Sequence, residues 1–417
     1  MTVCYRIAII GSGTAGLATA CFLGKGGHNI TLFESFETPR PVGAGLMLQP
    51  TGLACLANLD LDEAAIQCGT KIYHLEGRTQ SGQMIFDLDY RDLSPSYFGL
   101  GIHRGALFTL LFDKLKSLSI PIQTHTRITS GHITSGHRIL TDEKQNQYGP
   151  FDLVIDASGK GSVLRAPDAV KLNKAYPYGA LWGVVEDPDQ IFGGNRLAQR
   201  YLDARIMAGM LAIGENPDTG KKSCAFFWSL PERDYAAWQE AGLQSWKNTV
   251  AEIWPDLLPF VRQFKSADHL TYARYGDIIM RRWHEDKLIH IGDAAHHSSP
   301  QLGQGVNLAL ADALILSHKL NQSRDVNAGL AAYQRERKQH VRFYQQASRM
   351  LTPFFQSDSR LASKSRDLSF GVLCKTPFVK TEMLRTLAGT KTGWLSHMNP
   401  GQWHKKYALN ASQKRGR

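Results

Sequence analysis

Two glycine-rich turns, each leading into a helix and each with one carboxylate beside it, hold most of the chemistry this sequence can do. The first reads Gly11-Ser-Gly13-Thr14-Ala15-Gly16, with Glu34 at the end of the same stretch. The second reads Gly292-Asp293-Ala-Ala-His296-His297, then Pro300, then Gly303-Gln304-Gly305-Val306-Asn307. Glycine at such spacings lets backbone come close to a ligand. The free N–H groups at a helix start attract negative charge. A carboxylate nearby accepts hydrogen bonds from hydroxyl groups. Together these features suit a ligand with a diphosphate, several hydroxyls and a ring of negative character.

The elements that must position these residues are readable around them. Residues 5–34 run as a buried strand, the GxGxxG turn, an Ala- and Leu-rich helix, a Gly26-Gly27 turn and a second strand ending at Glu34. This is the complete βαβ setting of a dinucleotide site. Gly11 serves the tight turn, Gly13 the approach of a pyrophosphate, and Gly16 the packing of helix on strand. Residues 287–291 predict a short apolar strand before Gly292. Val306, Leu308, Leu310, Ala313, Leu314 and Leu316 predict a helix at 3.6-residue spacing. A third strand and turn, 151–165, carries Asp156, Ser158, Gly159, Ser162 and Arg165. Arg40 precedes a Gly/Pro loop that enters a helix near 53–59, and Arg104 opens a helix over 106–118. Residues 71–78 and 84–88 alternate as two antiparallel strands about a Ser81-Gly82 turn. Residues 120–148 predict a hairpin region with turns at Gly131 and Gly136.

Residues 178–276 change character. Aromatic strand-like runs are followed by helical stretches over 231–241, 243–253 and 255–264, which suits a sheet that covers a substrate. At 417 residues the chain exceeds one ordinary core. The expected division is a discontinuous cofactor domain (1–70, 103–177 and 277–340), a substrate domain (71–102 and 178–276), and a basic helical segment (341–417) with a polar tail from Pro400. From Val341 onward there are 14 Lys and Arg against three acids, Asp358, Asp367 and Glu382, which equals the whole net charge of +11. That segment reads as a solvated face, or as one drawn to an anionic membrane surface. No nucleic-acid motif accompanies the charge, so no nucleic-acid partner is expected. The six cysteines are scattered with no CxxC pair, which predicts free thiols in a reducing compartment and no metal site. No signal peptide and no uninterrupted apolar run long enough to span a membrane is read. The expected location is the cytoplasm, with the basic segment available to the inner membrane face.

In this order and spacing the three motifs resemble those of the class A FAD-dependent monooxygenases, the p-hydroxybenzoate hydroxylase type, over roughly residues 5–345. The short run Leu351-Thr-Pro-Phe-Phe-Gln-Ser-Asp, with Arg366-Asp-Leu after it, is similar to the ends of ubiquinone-biosynthesis hydroxylases. The resemblance implies an α/β protein: a Rossmann-like FAD-binding domain with an inserted antiparallel β-sheet substrate domain and a helical C-terminal segment. It implies FAD, with NAD(P)H as electron donor and O2 as co-substrate. The reaction implied is hydroxylation or epoxidation of a hydrophobic aromatic or olefinic small molecule through a flavin C4a-hydroperoxide. Gly11, Gly13, Thr14, Ala15, Gly16 and Glu34 would hold the ADP half. Gly292 and Asp293 would meet the ribityl chain. Gly303, Gln304, Gly305, Val306 and Asn307 would lie at the flavin N1/C2 edge, Arg40 and Arg104 would flank the cofactor, and Pro300 would shape the chamber. No side chain is assigned as catalytic, because the flavin carries the hard chemistry.

One position departs from the family. Its usual Gly-Ala-Asp-Gly reads Asp156-Ala-Ser158-Gly159 here, a variant similar to that of flavoprotein lycopene cyclases and some halogenases. This leaves open a non-oxygenating flavoprotein (a cyclase or reductase), or a halogenase-like enzyme served by a partner reductase. The Trp-x-Trp-x-Ile-Pro motif of flavin halogenases is absent.

Overall fold

The structure, a computed structural model, describes residues 3–40 and 43–408. At its centre a six-stranded sheet runs His284–Glu285, Leu288–His290, Leu153–Asp156, Arg6–Ile10, Asn29–Phe33, Ile122–Gln123. All neighbours except the first pair are parallel. Strands buried on both faces need continuous apolar sequence, and Ile7, Ala8, Ile9, Leu153, Val154 and Ile155 are fully buried. The strand ends of Arg6–Ile10, Leu153–Asp156 and Leu288–His290 lie side by side, in register from Ile10 to Asp156 to His290. The three motifs therefore emerge together at one edge. Helices Thr14–Lys25 and Gly305–Gln322 cover one face of this layer, and their buried faces share one core.

The second large sheet has seven strands in the order Thr271–Met280, Val170–Glu186, Lys222–Pro231, Ile206–Glu215, Arg196–Leu202, His74–Thr79, Met84–Asp89. It is antiparallel except for the pair Arg196–Leu202 and His74–Thr79, which is parallel. Side chains alternate between its faces. Leu181, Phe226 and Trp228 pack under the Tyr235–Ile253 helix and its continuation, with Phe226 and Trp228 5.6 and 6.0 Å from the Trp246 ring. The other face turns to the first domain. A methyl at Gly45 would meet Ile213 and Ala225 there, and Trp182 lies 4.9 Å from Phe227. Gly242, at φ 78°, breaks the Tyr235–Ile253 helix where the sequence predicts a break.

Several expectations are corrected. Each of the five division points drawn from composition falls inside an element. They cut strands Thr70–Ile72, Gly99–His103, Val170–Glu186 and Thr271–Met280, and helix Val326–Phe355. Each of these elements continues across the expected boundary without a linker. Gly131 is not a turn: it lies within strand Ile128–Thr134, paired with Leu140, and the turn is at Ser135-Gly136. The tail does not begin at Pro400. Pro400–Tyr407 is a helix with a capping box at Asn399 and Gln402, and it buries Trp403 and Tyr407 in the main core. Residues 409–417 of the expected tail lie outside the described residues.

Candidate active site

The glycines of the first turn divide by what surrounds them. A methyl at Gly16 would lie 1.8 Å from the Gly11 carbonyl oxygen, and one at Gly11 would lie 2.7 Å from the Ala157 oxygen. Gly11 also has φ +98°, which side-chain-bearing residues avoid. These two glycines join the first motif to the middle one. Across the other side, a methyl at Gly292 would lie 3.0 Å from Ala15 Cβ, so the second turn rests on the first helix. Gly13 and Gly305 differ: both are exposed, and no atom lies within 4 Å of where their Cβ would be.

Those two open positions mark two helix starts. Gly13 caps Thr14–Lys25 and Gln304 caps Gly305–Gln322, and neither side chain caps its helix. Uncapped N–H groups facing open space are the donor set that a diphosphate, or the electron-rich edge of a flavin, requires. Thr14 and Ala15 are half-buried at the first start, and Val306 is half-buried at the second. The residues present therefore fit FAD.

Arg104 and Asp293 lie close enough for each charge to act on the other. The Arg104 guanidinium lies 3.4 Å from where a Gly43 methyl would be. Asp293 is 51% exposed, so it faces a cleft and is not packed into the core. Burial raises its carboxyl, but a hydrogen bond from His297 and the charges of His297, His296 and Arg104 outweigh this and hold it below the ordinary range. His297 Nδ1 is 3.2 Å from Asp293 Oδ2. The carboxylate thus stays ionised at neutral pH.

Beneath this turn lies a charge network that sequence reasoning missed. Asp312, fully buried on the Gly305–Gln322 helix, accepts from the Gly292 N–H at 2.9 Å and pairs with His296 Nε2 at 2.6 Å. Its other oxygen accepts from Arg337 Nε at 2.8 Å. Arg337 also donates to the Leu308 carbonyl at 3.2 Å and to His340 Nδ1. The signal for Asp312 was a lone carboxylate inside an otherwise apolar helical run. His296 is accordingly a structural partner of this network.

Other expected residues sit as follows. Glu34 is buried, and its four acceptor positions are taken by Ser12 N–H and Oγ, Ser35 Oγ and Phe36 N–H. It braces the glycine turn, and a ribose hydroxyl would have to displace a serine. Asn307 points away from the cleft: its Oδ1 accepts from Gln49 N–H at 2.8 Å, and its amide donates to the carbonyls of Met47 and Gly303. Gln304 donates to the carbonyls of Thr386 and Leu387, so its side chain faces the C-terminal helices. Gly303 has φ +61° and turns the chain into the helix. Pro300 is exposed at the start of the turn Pro300–Leu302. Arg40 is exposed, 5.7 Å over the Phe36 ring.

The FAD binding domain family matches residues 4–348 of the chain. The chain belongs to the class A FAD-dependent monooxygenases. Over 371 residues it is 25% identical to the kynurenine 3-monooxygenase of Xanthomonas campestris pv. campestris (strain B100), covering 82% of this chain and 77% of that one. Over 404 residues it is 26% identical to the 6-methylpretetramide 4-monooxygenase of Streptomyces rimosus, covering 93% of each. Among solved structures, Klebsiella pneumoniae HpxO, complexed with FAD and uric acid, has a TM-score of 0.78 at 18% identity, over 94% of this chain and 98% of that one. The 2-methyl-3-hydroxypyridine-5-carboxylic acid oxygenase has a TM-score of 0.75 at 20% identity, over 92% and 97%. These last two likenesses show the fold.

As a class A monooxygenase the protein uses FAD, with NAD(P)H as the donor typical of the family. The non-oxygenating and halogenase-like alternatives find no support in these relatives. The departure at Ser158 has a local structural account. Asp156, two residues earlier, is fully buried and accepts from Ser158 N–H and Oγ, from Ser162 Oγ at 2.5 Å, and pairs with His290 at 2.6 Å. A carboxylate is present, but it faces inward and organises the turn. In this monooxygenase Arg165 then ties that turn to Ala294 at 2.9 Å. Among the described residues no helix is long and apolar enough to cross a membrane.

Proposed function

We propose that this monooxygenase hydroxylates a neutral, multi-ring aromatic compound. The observation that carries this is the sheet face turned toward the flavin domain. Its central positions hold Trp182, Gln199, Met207, Leu211, Ile213 and Phe227, and no charged side chain. A kynurenine-type substrate carries a carboxylate and an ammonium group, and this face offers no unpaired counter-charge to either: Arg366, over the Tyr201 ring, is held by Asp367. A neutral multi-ring phenol needs apolar area and a few polar contacts instead.

Bound FAD supplies electron storage from NAD(P)H and the activation of O2. The chain's own residues bind, orient and shield. Asp293 accepts from the ribityl chain, and the N–H groups at Gly305–Asn307 offset negative charge on the ring edge. The aromatic wall excludes water from the reacting centre. Trp182 Nε1 donates to Tyr275 Oη at 2.8 Å. Burial raises the Tyr275 phenol well above its ordinary range. It therefore keeps its proton at neutral pH, and can donate a hydrogen bond to a ring oxygen but not act as a base.

The test is NAD(P)H oxidation and oxygen uptake by the yellow holoprotein with a panel of neutral multi-ring phenols and with kynurenine. The phenols should stimulate both. Stimulation by kynurenine alone would reject the substrate class. Failure of both NADH and NADPH to bleach the flavin anaerobically would point to a partner reductase.

A further inference from the structure

The helix Arg360–Leu373 buries one side and exposes an apolar stripe on the opposite one. Ser363, Arg366 and Phe370 face inward. Arg366 is fully buried, 4.7 Å over the Tyr201 ring and paired with Asp367 at 2.7 Å, and Phe370 lies 5.6 Å from Phe355. The opposite side carries Leu361, Leu368 and Val372, exposed at 79, 76 and 68%. At 3.6 residues per turn these three fall within about 40° of one another, directly opposite the buried set. Phe378, 75% exposed, extends the apolar surface at the start of helix Pro377–Leu387. Folding does not require this outer stripe, because the inner face already makes the contacts that hold the helix.

The unpaired charges of this segment have one sign. Arg360, Lys364 and Lys375 are exposed and make no ion pair among the described residues. The three acids of the segment are all engaged by cations: Asp358 by Arg233, Asp367 by Arg366, and Glu382 by Arg385 and Lys391. A ridge of leucine, valine and phenylalanine flanked by unpaired lysine and arginine matches the pattern of a helix that lies in the interface of an anionic bilayer. A second copy of this chain would bring two segments of the same positive sign together, which opposes self-association through this face.

We propose that the outer stripe of Arg360–Leu373, with Phe378, docks the protein on anionic lipid bilayers. Apolar side chains enter the headgroup boundary, and Arg360, Lys364 and Lys375 meet lipid phosphates. The docking stands without the substrate proposed above. Given that substrate, it also places an apolar reservoir one helix thickness from the aromatic wall, through Phe370, Phe355 and Tyr201.

The test is flotation of the full-length, FAD-loaded protein with vesicles of phosphatidylcholine alone and with added phosphatidylglycerol, which needs no substrate. The protein should float with the anionic vesicles and not with the neutral ones. The triple variant Leu361→Ser, Leu368→Ser, Val372→Ser should lose about tenfold or more of this binding, as should Lys364→Glu with Lys375→Glu. A chain ended after Ala408, which lacks Lys414, Arg415 and Arg417, should retain it. Anaerobic flavin bleaching by NAD(P)H, unchanged in each variant, controls for folding. Equal flotation of the triple variant and the parent would overturn the proposal, as would loss of all binding on truncation. A dimer in sedimentation that the triple variant dissolves would assign the stripe to a second copy instead.

Discussion

The buried carboxylate of Asp312 holds the backbone N–H of Gly292 at 2.9 Å. This bond joins the helix that presents its N-terminus to the cleft to the turn that presents Asp293. The two parts of the flavin half of the site are therefore set relative to each other by one buried group, itself anchored by Arg337 from the Val326–Phe355 helix.

Removing that group should loosen the site more than it changes the fold's outline. Asp312→Ala leaves Arg337 charged, buried and unpaired, which costs about 3–5 kcal/mol of stability. Asp312→Asn keeps a bond to Gly292, and should weaken FAD binding by about tenfold, or about 1.4 kcal/mol. Replacing both Asp312 and Arg337 with leucine should recover much of the melting temperature but not the FAD affinity. Flavin fluorescence titration and thermal melts separate the two effects. Full FAD affinity in the double variant would show that the network does not position the turn.

Gly13 and Gly16 predict opposite outcomes for the same substitution. Gly13→Ala meets no protein atom within 4 Å and has an ordinary backbone conformation (φ −69°, ψ 179°), so the apoprotein should melt normally. FAD should bind at least about tenfold more weakly, because the methyl occupies space meant for the diphosphate. Gly16→Ala places its methyl 1.8 Å from the Gly11 oxygen and should destabilise the apoprotein itself. Melting curves with and without FAD check both. Unchanged FAD affinity in Gly13→Ala would remove the diphosphate from this turn.

Acid should weaken the network through His340. Arg337 can only donate, so the His340 Nδ1 facing it is an unprotonated acceptor. Burial first, then the charges of Arg337 and His296, push the His340 pKa well below its ordinary value, and Asp312 opposes them. Below about pH 6.5 the unfolded chain then takes up a proton that the folded chain refuses. Stability is complete above that pH and falls below it, by about 1.4 kcal/mol per pH unit from this residue. Asp312, held below the ordinary carboxylate range, adds a loss only at still lower pH. His340→Gln should flatten the melting-temperature profile between pH 7 and 5. A slope as steep as the parent's would assign the acid sensitivity elsewhere.

Tyr275→Phe tests the chamber wall. It deletes the acceptor of the Trp182 N–H and should cost about 1–3 kcal/mol of stability. The larger effect expected is on substrate use: a raised KM and more hydrogen peroxide per NAD(P)H consumed, with substrate-free flavin reduction unchanged. Parent-like KM and peroxide yield would take Tyr275 out of the substrate's surroundings.

The part of this site that was legible in sequence is the part built from short-range patterns. Gly11–Gly16, Asp293 and Gly303–Gly305 each require a local turn whose chemistry is encoded within a few residues. Asp312 and Arg337 are not of this kind. They meet across two helices 25 residues apart in the chain, and only packing shows that they are a pair. Glu34 and Asn307 were expected at the cofactor, but their partners within the protein were invisible. Ser12 and Ser35 occupy the first, and Gln49 and Met47 the second. The expected domain boundaries fall inside elements such as the strand Val170–Glu186, because composition changes along a strand before the strand ends. Trp403, a lone tryptophan in a polar stretch read as tail, is buried in the core and holds Pro400–Tyr407 against it.

The central claim is oxygen insertion from O2 into an aromatic ring at a flavin held between the Thr14–Lys25 and Gly305–Gln322 helix starts. Turnover of the best phenol of the panel under 18O2, with the product read by mass spectrometry, tests it most directly. The account predicts one heavy oxygen per product molecule from 18O2 and none from H218O. Label from water, or product formed without oxygen uptake, would contradict it.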